Sequence, residues 1–266
     1  MYHFFVPAES ISSSQVIITG GDFNHIKNVL RMKPGEKFVA NDGNGASYCC
    51  SIREFKGESI VADIENGQLE SNELPVRLVL FQGLPKADKM ELIIQKAVEL
   101  GAAEIVPVEM VRCVVKLDDK KKKNKLARWQ SIAESAAKQS GRTVIPEVKT
   151  VMTFDEALQY AEKLDFLLVP YECADSLKKL REKIDGLKPG MSAGIFIGPE
   201  GGYEEKEIEK ARDVLTDPSR TTFKTVLIPE EMSIYESQRS MEALDKCNMS
   251  TDGVIVNKIQ PDNTHC

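Results

Sequence analysis

Gly198, Gly201 and Gly202 stand in the stretch Ala193-Gly-Ile-Phe-Ile-Gly-Pro-Glu-Gly-Gly-Tyr203, where the backbone can turn tightly and approach a ligand closely. The same loop carries Glu200, and Glu204 and Glu205 open a helical pattern that continues through Ile208 and Ala211. A phosphate-binding loop would bring a Lys and a helix start free of negative charge. Here no Lys or Arg lies between 189 and 205. Acid at a helix start is an ordinary capping preference, and it repels phosphate. A ligand with no phosphate and a positive charge suits this loop, and S-adenosylmethionine has both properties. A tight turn with no ligand would use the same residues.

The elements around the loop give it a setting. Ile195-Phe-Ile197 reads as a buried strand, so the order is strand, glycine loop, helix, the place where an α/β sheet binds small molecules. Upstream, Val76–Phe81 is a strand, Lys89–Leu100 a helix with Met90, Ile93, Ile94, Ala97 and Val98 on one face, and Glu104–Val108 the next strand. That βαβ order implies a parallel sheet with a right-handed crossover. A helix is expected over 153–163, a strand over Asp165–Glu172 and a further helix over Ser176–Asp185. Residues 1–72 are different. Gln15–Ile18, Lys37–Ala40, Ala46–Ile52 and Ser59–Ile64 are strand-like, Asn41-Asp-Gly-Asn-Gly45 is a turn, and one short helix spans Phe23–Arg31. Gln68–Pro75 is polar and reads as a linker.

Charge narrows the partners. The 266-residue chain has a net charge of −6, so any nucleic-acid role must come from a local patch. One such patch runs from 112 to 142, where ten Lys or Arg face three Asp or Glu. It holds Arg112, Arg128, Arg142 and the lysines of Asp118–Lys125, which a solvated loop would also explain. Arg31 and Lys33 beside the β-rich unit could touch RNA phosphates, or simply face solvent. His25 reads as a structural or surface histidine. No run approaches the length of a membrane span. No secretory signal is expected, and the six cysteines form no C-x-x-C pair. A metal site is therefore not expected, and a cytoplasmic protein with reduced thiols is.

Several pieces together resemble one family. Asn24-His-Ile-Lys-Asn-Val-Leu-Arg31 with Gly35, Gln95-Lys-Ala-Val-Glu-Leu-Gly101, Arg112, Gln139-Ser-Gly-Arg142, Tyr171-Glu172 and Ile197-Gly-Pro-Glu-Gly-Gly202 look like the ribosomal small subunit methyltransferase E family. The resemblance covers residues 1 to about 213. It implies S-adenosylmethionine-dependent methylation of N3 of a uridine in 16S rRNA, alone or in the small ribosomal subunit. It implies a PUA-like RNA-binding barrel over 1–72 and an α/β SPOUT domain over 73–266. The SPOUT domain is a parallel sheet whose C-terminal chain threads a trefoil knot. It implies a homodimer with the cofactor pocket near the dimer interface. Carried over, Ile197, Gly198, Glu200, Gly201 and Gly202 line that pocket, with Leu168, Pro170 and Glu172 on the neighbouring strand end. Arg31, Arg112 and Arg142 would hold RNA, with Lys33 beside Arg31 and Arg128 in the basic patch of 112–142. Gln95 and Glu99 sit on the first SPOUT helix, as site residues or as ordinary surface. Methyl transfer needs the uracil N3 proton to leave, and Arg112 or Arg142 could stabilise the anion that forms.

The tail departs from the pattern. The family ends with a segment of the type L-G-x-x-I-L-R-x-E-T-A and an apolar helix, which close the knot and complete the adenosine pocket. After Asp213 this chain has neither, and Met249–Cys266 reads as polar. The expectation is a replaced tail, by frameshift, aberrant splicing or divergence. Three readings follow. They are an rRNA methyltransferase, an RNA-binding protein that keeps the fold without catalysis, and a nucleotide-dependent α/β enzyme. The acidic loop argues against the last. Family members usually have Ser where this chain has Cys113.

Overall fold

The computed structural model describes residues 1–170, 184–215, 221–227 and 251–256. The strands in chain order are β1 (His3–Phe5), β2 (Gln15–Thr19), β3 (Lys37–Asn41), β4 (Ser47–Lys56), β5 (Ser59–Gln68), β6 (Arg77–Gly83), β7 (Glu104–Glu109), β8 (Glu147–Val148), β9 (Met152–Thr153), β10 (Phe166–Pro170), β11 (Ser192–Ile197), β12 (Thr221–Leu227) and β13 (Thr251–Val256). The α-helices are α1 (Gly20–Asn24), α2 (Lys89–Glu99), α3 (Asp119–Ser140), α4 (Phe154–Ala161) and α5 (Glu205–Leu215). The chain divides into two compact units, each made of separate segments.

The first unit comprises Met1–Leu74, Ile94–Ala103 and Arg128–Glu147. Its sheet runs β1-β3-β4-β5-β2, with β1 parallel to β3 and the other pairs antiparallel. The β3–β4 hairpin turns where the Asp42 carboxylate accepts the N–H groups of Asn44 (2.8 Å) and Ala46 (2.9 Å). Phe4, Val16, Ile18, Ile26, Phe38, Ile52 and Ile60 fill the interior, each worth roughly 1.5–3 kcal/mol when fully buried. The helix expected over Phe23–Arg31 instead begins at Gly20 and finishes as a single wide turn, His25–Val29. Arg31 ends it at φ 54°, a left-handed conformation that costs a non-glycine residue about 1–2 kcal/mol.

The second unit comprises Pro75–Ile93, Glu104–Ala127 and Val148–Cys266. Its strands lie in the order β13-β12-β10-β11-β6-β7, with β9 also on β7, and these pairs are all parallel. β6 and β11 are apolar on both faces, as a parallel sheet covered on both sides requires. Phe81 and Phe196 stack at 4.2 Å between ring centroids, and Phe154 meets Phe196 edge-on at 6.3 Å. Gly194 leaves room for Leu164, Leu167 and Phe81, since a Cβ there would fall 2.8 Å from the two leucines. At α4, Thr153 and Glu156 cap each other's backbone N–H groups in a reciprocal pair.

Two expectations change. The lysine run is not a loop but the opening turns of α3. Asp118 accepts the Lys121 N–H at 2.8 Å, which caps the helix, and Lys itself forms helix well. The tail is not merely polar: β12 pairs with β10, and β13 pairs with β12 outside it. Thr221–Leu227 alternates weakly, and Gly253 interrupts the last strand, so neither stands out by period. The helix expected over Ser176–Asp185 lies outside the described residues except at its end, as does the path on which a knot would be threaded.

Candidate active site

The loops after β6, β7 and β11 leave the carboxyl ends of neighbouring parallel strands, where open α/β sheets place their ligands. In the glycine loop, the Gly202 N–H closes a turn on the Pro199 carbonyl at 2.8 Å, with Gly202 at φ 69°. That conformation favours glycine, and a Cβ there would meet nothing within 4 Å, so the side of the loop at Gly202 is open. Gly198 lies against the Tyr203 ring, where an added Cβ would sit 3.2 Å away, and the ring itself meets Phe154 edge-on. The loop is thus seated on the apolar core and open above it.

The charges around it come from other loops. Glu200 accepts the Lys86 N–H (3.2 Å) and the Lys89 ammonium (2.7 Å). The Lys89 hydrogen bond holds its carboxyl below the usual range. Ala87, between these contacts, has φ 54° and so bears backbone strain beside the site. Arg112 donates from Nε to Glu204 at 2.8 Å and from Nη1 to the Gly201 carbonyl at 3.0 Å. Glu207, 4% exposed, accepts the Val111 N–H at 2.8 Å and the Glu204 N–H at 2.9 Å. The stretch from 189 to 205 is acidic by itself but not in the fold. Lys89 and Arg112 arrive from distant sequence and offset Glu200 and Glu204.

A better reason to exclude phosphate is geometric. A phosphate at the start of α5 would need free N–H groups. One of those groups, the Glu204 N–H, is taken by Glu207, whose buried carboxylate would also repel an anion. Ile197, partly buried at the end of β11, and Leu168, partly buried within the neighbouring β10, are apolar and suit an adenine ring. The residues present fit S-adenosylmethionine, whose adenosine is neutral and whose sulfonium is cationic.

The other expected site residues fall as follows. Pro170 ends β10, and Glu172 lies outside the described residues. Arg142, 6% exposed, belongs to the first unit. Its Nε and Nη2 bind Glu73, and its Nη1 donates to the carbonyls of Val98 and Ala102. Its guanidinium is therefore committed within the fold. Arg31 and Lys33 are exposed, and neither has an acidic side chain paired with its own among the described residues. Arg128 is also exposed. Gln95 donates to Glu99 at 3.0 Å, an ordinary pair one helical turn apart. His25 is exposed and meets Phe4 edge-on at 6.2 Å. Sequence reasoning missed Lys86, Lys89 and Glu207. Only Glu207 left a local signal, three residues after Glu204 at a helix start. Among the described residues no group of His, Cys, Asp and Glu could hold a metal, and no helix is long and apolar enough to cross a membrane.

The chain is similar to known proteins along most of its length. A family model described as an RNA methyltransferase domain matches residues 72–219, and one described as an RNA methyltransferase PUA domain matches residues 18–65. A third, described as an anion-transporting ATPase, matches residues 200–266, which include the tail. The ribosomal RNA small subunit methyltransferase E of Bacillus subtilis is 38% identical over 196 residues, 73% of this chain and 77% of that protein. The protein of the same name from Mesomycoplasma hyopneumoniae is 31% identical over 88% of this chain and 96% of its own. The crystal structure of the Neisseria gonorrhoeae enzyme of that name, bound to S-adenosyl methionine, superposes with a TM-score of 0.68 at 30% identity, over 92% of this chain and 98% of that one. The fold is a SPOUT-type parallel sheet preceded by a PUA-like unit. The chain belongs to the ribosomal RNA small subunit methyltransferase E family.

Proposed function

We propose that this protein transfers the methyl group of S-adenosylmethionine to N3 of a uridine in 16S rRNA of the small ribosomal subunit. The observation that carries this reading is the glycine loop between β11 and α5, open at Gly202, with the buried Glu207 carboxylate at the helix start disfavouring an anion there. The cofactor supplies an electrophilic methyl group on a cationic sulfur. The chain's own residues bind, orient and balance charge. Ile197, Gly198, Gly201 and Gly202 cradle the cofactor, with Leu168 and Pro170 on the adjoining strand. Glu200, tied to Lys89, serves the loop's shape as well as its charge.

N3 gains the methyl carbon as the sulfur–carbon bond breaks, and the N3 proton passes to solvent. A guanidinium near the uracil stabilises the anion and lowers the cost of losing that proton. Arg112 fills this role here, because its side chain stands at the glycine loop. Arg142, expected as the other candidate, acts instead by holding its own unit together through Glu73. Arg31, Lys33 and Arg128 contact RNA phosphates, which position the substrate without reading its sequence. The protein works as a homodimer in the cytoplasm, where its substrate is assembled.

The test is a thermal melt with S-adenosylmethionine and, separately, with ATP. Ligand at about 100 times its dissociation constant adds roughly 2.7 kcal/mol to a folded state that alone binds it. S-adenosylmethionine is expected to raise the melting temperature and ATP to leave it unchanged. A shift with ATP alone would replace this reading with the nucleotide-dependent one.

A further inference from the structure

Glu207 is a carboxylate buried to 4% exposure, and each of its two oxygens accepts a backbone N–H. Those N–H groups lie on either side of one arginine. Oε1 accepts from Val111, the residue before Arg112, at 2.8 Å. Oε2 accepts at 2.9 Å from Glu204, whose own side chain pairs with Arg112 at 2.8 Å. Arg112 also donates to Gly201 at 3.0 Å, and its Cβ would touch a Cβ placed on Gly201 at 3.2 Å. Glu207 thus fixes both the backbone that carries Arg112 and the backbone that carries its anionic partner. A helix cap alone would need only the Glu204 bond; the second bond reaches a loop 96 residues away.

We propose that Glu207 is a positioning residue for Arg112, holding its guanidinium at the glycine loop so that it meets the RNA substrate in one orientation. This rests on the role of Arg112 at the uracil. Burying a carboxylate is costly, and here strong acceptor geometry offsets the cost. Removing it leaves the Val111 and Glu204 N–H groups without their acceptor and releases the loop between Met110 and Lys116.

The test is a double-mutant cycle on full-length protein, with unmethylated small ribosomal subunits as substrate. Glu207→Ala and Arg112→Ala are each expected to lower kcat/KM for RNA about tenfold or more. If Glu207 acts through Arg112, adding Glu207→Ala to Arg112→Ala lowers kcat/KM by less than about threefold further. Glu207→Gln keeps one acceptor oxygen and is expected to restore part of the loss, which also controls for folding. Losses that multiply in the double variant would overturn the proposal, as would Glu207→Ala with unchanged kcat/KM. Arg112→Ala with unchanged kcat/KM would instead reject the role of Arg112 itself.

Discussion

Burial raises the Glu73 carboxyl, but the Arg142 guanidinium and the N–H groups of Thr143 and Val144 more than reverse this and hold it below the usual carboxylate range. The folded-state value is depressed, so the stabilisation is present above the unfolded value, about 4.3. It is lost as pH falls through the folded value. Urea denaturation should therefore show stability falling on acidification below about pH 4, with Glu73→Gln flattening that part of the profile. Arg142→Ala leaves Glu73 half-buried without its cation and should cost about 3–5 kcal/mol at neutral pH. A loss within about 0.5 kcal/mol, typical of surface sites, would contradict a structural role. Cys113 is another residue whose role becomes clear only in three dimensions. It is buried, its thiol is pushed up chiefly by burial, and its Sγ accepts the Met110 N–H at 3.4 Å. A Ser hydroxyl can accept that bond as well, so Cys113→Ser should retain methyl transfer, and the native thiol should resist alkylation until the protein unfolds. The arginine at 142 is legible in the sequence as a charge. Its partner is not, because Glu73 lies 69 residues earlier in a stretch that reads as a polar linker.

At the scale of elements, local pattern serves well wherever it decides the structure. The run Ile195–Ile197 is a strand, Glu205–Leu215 a helix, and the glycines between them make the turn. Gly202→Ala would force a side chain into φ 69° and should lower stability by roughly 1 kcal/mol in a denaturant melt, even though space is open around it. Pattern fails where charge conceals propensity. Five lysines between 120 and 125 look like a solvated loop, yet they form α3 because Asp118 caps them. Lys121, Lys122 and Lys125 pair with Asp118, Glu109 and Asp88, while Lys120 and Lys123 have no acidic partner among the described residues. Those two lysines lie near the positive end of the helix dipole, where cations are disfavoured unless an anion arrives. Replacing both with Gln should weaken RNA binding and reduce its salt dependence by about one unit of slope for each phosphate no longer neutralised. An unchanged slope would mean that they face only solvent.

For the whole molecule, the order of segments identifies the family before any single motif can. The tail is the exception. Its strands are not legible, because β12 and β13 gain their places by pairing along a sheet edge set by β10. That pairing sets β12 in parallel beside β10, the strand that carries Leu168 and Pro170, so the tail adjoins the expected cofactor site. Whether such a chain turns over is a question of product, and product analysis answers it most directly. Small ribosomal subunits lacking the modification are incubated with the protein and S-adenosylmethionine, and the RNA is digested and analysed by mass spectrometry. The expected result is 3-methyluridine at a single site, strongly reduced by Arg112→Ala. If the cofactor stabilises the protein but the RNA gains no 3-methyluridine, this chain binds S-adenosylmethionine without performing the proposed reaction, which would contradict the function proposed for it.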